Sequence, residues 1–163
     1  MKIYFLRALT SLLLITLLFC TLASCGQVQY SNTVDCSSLT SSIKKFLPSG
    51  DGYSEYTVEE VKYMVDPSLF DSHSIIYSNS SDTIDEVGIF HAKDDTSASL
   101  LFEKVNGYVS SMKNEKNDFL RNYLPEELGK LESGEVKQFG NYVVFSFAES
   151  NKEIFKNIEN MLK

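Results

Sequence analysis

Two histidines and a short run of acids are the residues of this chain best suited by type to do chemistry. His91 stands three and four residues before Asp94 and Asp95, and His73 opens the preceding apolar stretch. Imidazoles and a carboxylate are the donor set of a catalytic divalent metal, zinc above all. For these groups to meet, the two histidines must lie on neighbouring antiparallel strands, with the aspartates just beyond the end of one. The competing use is structural: histidines at a sheet edge, and Asp94 and Asp95 satisfying free N–H groups at a helix start. Spacing fixes no third strong ligand, so no metal and no cofactor is expected. The pairs Glu59-Glu60 and Glu126-Glu127 fall in first helical turns, where the helix dipole favours negative charge. A glycosidase pair would need a cleft between its carboxylates that the sequence does not place. No serine sits in a Gly-x-Ser-x-Gly elbow, and no glycine-rich phosphate loop exists. No catalytic residue is expected. Tyr53, Tyr56, Tyr63, Tyr77, Tyr108, Tyr123 and Tyr142 accompany a complete lack of tryptophan. Most of these read as half-buried core residues, but tyrosine also offers rigid, amphipathic contact area, useful at interfaces and in grooves that bind peptides or sugars.

Cysteine is the other reactive type. Lys2 and Arg7 precede an apolar run from Ala8 to Phe19, and Leu22-Ala23-Ser24-Cys25 follows. A cationic start and a short apolar run make a secretory signal peptide, and the run is too short to span a bilayer. The last four residues resemble the lipobox of bacterial lipoproteins, in which small residues precede a cysteine that takes a lipid thioether before cleavage. Residues 1–24 are therefore expected to be removed and Cys25 to be the lipidation site. Cys20 leaves with the leader and Cys25 is consumed by lipid, so Cys36 remains without an internal partner, free or bridged to another chain.

The formal charge is −7, and loss of Lys2 and Arg7 with the leader takes it to −9. Such a domain is repelled by nucleic acid and by anionic headgroups, so its expected membrane contact is the lipid on Cys25 alone. Residues 25–36 read as a polar lipidated tether, and some ten flexible residues span roughly 15–20 Å. Residues 37–163 read as one globular domain on the extracytoplasmic face.

The elements follow from periodicity and caps. Leu39, Ile43, Phe46 and Leu47 share a helical face ended by Pro48. Thr57-Val58-Glu59-Glu60 has capping-box spacing and opens a short helix through Val65. Ser72–Ser78 and Thr83–Lys93 read as a hairpin, its second strand central because Val87, Ile89 and Phe90 are apolar on both faces. Asp94 caps a long helix to about Asn122, with Leu101, Val105, Tyr108 and Met112 inward and Phe119 and Tyr123 resuming that face. Its length predicts an overhang beyond the sheet. A short helix from Pro125, a hairpin of Val136–Phe139 and Asn141–Ala148 around Gly140, and a helix capped at Ser150 with Ile154, Ile158 and Met161 inward complete the chain. The expected fold is α+β: a four-stranded antiparallel sheet from two hairpin-plus-helix units, with one long helix and extra N-terminal helices.

Asp85-Glu86-Val87-Gly88-Ile89-Phe90-His91-Ala92-Lys93-Asp94, Phe119-Leu120-Arg121-Asn122-Tyr123-Leu124-Pro125 and Gly140-Asn141-Tyr142-Val143-Val144 resemble small bacterial lipoproteins carrying domain of unknown function 4358, over roughly Ser37 to the C-terminus. That resemblance implies a lipid-anchored extracytoplasmic α+β domain and no defined activity. The leading expectation is a non-enzymatic binding module of the cell envelope that engages another envelope protein or a peptide. An envelope hydrolase or metal-dependent enzyme near His91, Asp94 and Asp95 is the alternative. Replacing Cys25 with alanine should abolish incorporation of a fatty-acid analogue in metabolic labelling. Undiminished label on the variant would end the lipoprotein expectation.

Overall fold

The computed structural model describes residues 28–50 and 52–163; the leader and Cys25 lie outside them. Helices α1 (Cys36–Ile43), α2 (Val58–Val61), α3 (Asp95–Tyr123), α4 (Leu128–Ser133) and α5 (Asn151–Leu162) surround strands β1 (Tyr53–Glu55), β2 (Phe70–Ser78), β3 (Glu86–Ala92), β4 (Glu135–Phe139) and β5 (Tyr142–Phe147). All neighbouring strands are antiparallel, in the order β1-β2-β3-β5-β4. The sheet therefore has five strands, not four. The fifth, β1, has only three residues, too few to show an alternating pattern.

Both hairpin-plus-helix units form, and β3 is central as its two apolar faces require. Their helices cover opposite faces. Val87, Ile89, Tyr142 and Val144 pack under α1 and α5, whereas Phe90, Val143, Phe145 and Phe147 pack under α2, α3 and α4. The β4–β5 turn is two residues long, and Gly140 supplies the positive φ of 57° that a type II′ turn asks of its first central residue.

Several local expectations shift by one residue. The long helix is capped by Asp94, whose carboxylate accepts the Ser97 N–H at 2.7 Å. Ala98, Leu101, Val105 and Val109 are its buried positions, and three turns beyond Val109 falls Leu120 rather than Phe119. Phe119 and Tyr123 are consequently 51% and 71% exposed, their rings in tilted contact with each other. From Ser110 to Phe119 no residue of the helix is fully buried, although Met112 still packs against the core. Leu120 returns to the core, in one cluster with Leu124, Leu128 and Leu131 as α4 folds back. Similarly, Phe155 and Leu162, not Met161, join Ile154 and Ile158 inside α5. Ser150 makes no side-chain cap there; instead the Asn151 amide accepts from the Ala148 N–H and donates to the Ser133 carbonyl.

The stretch read as a tether is partly folded onto the domain. The Ser31 N–H donates to the Leu162 carbonyl at 2.7 Å, Tyr30 packs edge-on to Phe139, and the Tyr142 hydroxyl donates to the Val34 carbonyl at 2.6 Å. Cys36 is the first residue of α1 and is buried, its Sγ 3.3 Å from the Ser72 hydroxyl. Burial pushes the thiol up to about 11. Such a thiol is poorly nucleophilic, and no second chain can reach it in this packing.

The sheet's centre tolerates no added atom at Gly88, whose cross-strand neighbour is Phe145. A Cβ there would meet the Phe145 ring at 2.0 Å. Gly88→Ala should lower unfolding free energy by about 1–3 kcal/mol, the usual cost of overpacking. Gly107→Ala, in the helix interior with open space around it, should raise stability by about 0.5–1 kcal/mol. Denaturant titration of the purified chain distinguishes the two.

Candidate functional site

Strand parity decides the fate of the histidines. Phe70 pairs with Ala92, and continued unbroken that register would set His73 and His91 on one face. A bulge between Phe70 and Ser72 shifts the pairing, so His73 opposes Phe90 and His91 opposes Ser72. One residue of slip sends side chains to opposite faces. His73 sits between Phe70 and Phe90, with Nε2 3.3 Å from the Tyr56 carbonyl. His91 lies beneath the other layer, its ring 4.6 Å from that of Tyr142. Asp94 is committed to its helix cap, and Asp95 is an exposed first-turn residue. The structure therefore does not bring the His73, His91, Asp94 and Asp95 set together. Among the described residues, no group of three or more His, Cys, Asp or Glu side chains is placed to hold a metal ion.

The seven tyrosines separate by environment. Tyr142 is fully buried, and Tyr53 is half-buried against the first core. Tyr123 is exposed at the end of α3. The other four gather on the α3 side of the sheet. Tyr77 faces Glu86 across β2 and β3, Tyr56 stacks on Tyr77 at 4.7 Å, and Tyr108 descends from α3. Tyr63, just past α2, is 86% exposed.

Between α2 and α3 these side chains border an open groove with two lobes of about 180 and 320 Å³. Tyr63, Met64 and Tyr108 line both lobes; Tyr56, Glu60 and Val61 close one, and Met112 and Glu115 extend the other. The local sequence explains this shape. The Thr57 N–H and hydroxyl both donate to the Glu60 carboxylate, and α2 ends after one turn. Val61 and Val65 plug into the core, which leaves Tyr63 outward.

Beneath the groove lies a buried acid. Glu86 is 5% exposed, and the Tyr108 hydroxyl bridges its two oxygens at 2.9 and 3.0 Å. Burial raises its pKa to about 7, against the opposing pull of the Tyr108 hydrogen bond. Tyr56 is pushed up to about 12, chiefly by burial and then by the Glu86 charge.

Asp85, the residue before it, has a different environment. Lys130 Nζ stands 3.1 Å from Asp85 and 3.0 Å from Glu127, and Glu127 accepts from the Ile84 N–H and the Thr83 hydroxyl. Burial opposes the Lys130 charge, but both carboxylates together raise its pKa. This network fastens the β3 approach to α4.

Sequence reading missed Glu86, Asp85, Lys130 and Met64. Two consecutive acids leading into a strand apolar on both faces were the available signal, because one of them had to point inward.

A model of a protein family described as a domain of unknown function, DUF4358, matches residues 55–148. The chain belongs to this family. The match begins at Glu55, the last residue of β1, takes in β2 through β5 and leaves out α1 and α5, so it is shorter than the stretch from Ser37 onward that the resemblance suggested. No curated protein and no solved structure matches the chain.

Glu86 predicts a specific pH dependence. Its folded pKa of about 7 lies above the ordinary value of 4.5, so between these values the unfolded chain ionises while the folded one stays protonated. Its contribution to stability is thus full below pH 4.5, falls as pH rises to 7, and is then constant. The loss is about 3 kcal/mol at 1.36 kcal/mol per unit. Melting temperature of Glu86→Gln minus that of the natural chain should grow from pH 5 to pH 7. A constant difference would show that Glu86 is not a desolvated acid.

Proposed function

We propose that this chain is a lipid-anchored extracytoplasmic binding module of the cell envelope that holds a protein or peptide partner in the groove between α2 and α3. The observation carrying this reading is the groove's lining: Tyr56, Tyr63, Met64, Tyr108 and Met112 around an open depression, with Tyr63 largely in solvent. Rigid aromatics and adaptable methionines are the side chains that contribute most at recognition surfaces. The hydrolase or metal-enzyme alternative has no comparable support, because His91 packs on Tyr142, Asp94 caps α3 and Asp95 is exposed.

Anchoring rests on the Leu22–Cys25 motif, and the fold adds a constraint to it. Only four residues separate Cys25 from Tyr30, where the chain is already held by the domain. Five Cα steps reach about 17 Å when fully extended. The domain then works within a few side-chain lengths of the bilayer surface, and its partner is membrane-bound or close to it. No helix among the described residues is long and apolar enough to cross a membrane.

A photo-reactive amino acid at Tyr63 in the membrane-tethered chain should give a discrete crosslinked adduct in the producing bacterium. The same group at Lys156, exposed on α5 across the sheet, should not, and Met64→Asp should erase the Tyr63 adduct. Equal adducts from both positions, or none from Tyr63, would overturn the groove as the binding surface.

A further inference from the structure

Two buried acids stand side by side at the start of β3, and only one has a cation. Asp85 meets Lys130 at 3.1 Å. Among the described residues, Glu86 has no basic neighbour, and Tyr108 is its single hydrogen-bond donor. The groups facing it are the phenols of Tyr108 from α3, Tyr77 from β2 and Tyr56 from the segment before α2. A carboxylate removed from water without a counter-charge is costly, and a cation placed nearby relieves that cost.

The groove above Glu86 repeats this imbalance. Glu60 and Glu115 are the charged residues in its lining, and no lysine, arginine or histidine joins them. Ring faces attract cations electrostatically, more strongly where water is reduced. One face of Tyr63 already carries Lys62, whose Nζ is 5.5 Å from the ring centroid. The whole chain carries a charge of −7, so a basic partner is also steered toward it at long range.

We propose that the groove receives a basic segment of a protein partner, with an arginine or lysine side chain lying on the Tyr63 and Tyr108 rings and its charge answered by Glu60, Glu115 and the buried Glu86. This rests on the groove being a binding surface and names the chemistry of what it binds. Tyr108 connects the two levels: its ring lines the groove and its hydroxyl holds Glu86. A cation on that ring favours the ionised form of Glu86, so binding strengthens as pH rises from 6 to 8.

The groove holds two methionines, Met64 and Met112, whereas Met161 lies on α5 on the opposite layer. Methyl spectra of the lipid-anchored chain without residues 1–24, labelled at methionine and purified in detergent, can therefore localise binding. The probe is a capped peptide of alternating arginine and glycine in physiological salt, compared with matched serine-glycine and glutamate-glycine peptides. The arginine peptide should shift Met64 and Met112 saturably and leave Met161 in place, with the other two peptides inert. Glu115→Gln, on the exposed part of α3, should weaken binding at least threefold, and Glu86→Gln should flatten the gain between pH 6 and pH 8. Equal shifts at all three methionines, or an equal response to the serine peptide, would overturn the proposal. A Tyr63 crosslink in cells with no response to the arginine peptide would overturn it while leaving the groove a binding surface. Loss of both signals would overturn the two together.

Discussion

Glu86 to Ala92 is hydrogen-bonded along both edges and packed on both faces, so its side chains are held within the two layers of the protein. Val87 and Ile89 meet the α1 and α5 layer, and Phe90 and Ala92 meet the α3 layer. Gly88 yields its space to Phe145. Burying one large apolar side chain contributes about 1.5–3 kcal/mol, and here the contributions come from two layers around one strand. The hairpins and their helices are arranged about that strand, and α1 docks on it with Cys36 enclosed.

Glu86 is the buried acid of this otherwise largely apolar strand, and its position explains the groove. It points toward α3, where Tyr108, Tyr77 and Tyr56 surround it with phenols rather than hydrocarbon alone. Keeping an acid there costs about as much as one large buried side chain contributes. Tyr108 thus has two roles, packing on Phe145 and donating to Glu86, which place its ring at the groove floor. The short α2 turn completes the wall because its capping glutamate ends the helix start cleanly and Val61 fixes its depth.

The bulge after Phe70 shows how far a single local feature reaches. It places His73 and His91 in different layers, and each histidine then becomes a packing residue beside aromatic rings. Much of the site was accordingly half-legible. The abundance of tyrosine was plain in the chain, but which four would gather depended on strand parity and on where α3 crosses the sheet. Asp85-Glu86 was visible as a charged pair before an apolar strand, yet nothing local told that Lys130 would arrive beside the first and nothing beside the second.

Local chemistry written in the chain determined the element types, their order, the central place of β3, the Asp94 cap and the turn at Gly140. Each depends on neighbours within a few residues, through period, cap or backbone freedom. Tertiary structure alone decided the three-residue β1, the choice of Leu120 over Phe119, the docking of residues 30–36 and the grouping around Glu86. These depend on which surfaces meet across many residues, where a difference of one position in register or a fraction of a helical turn selects one side chain over its neighbour.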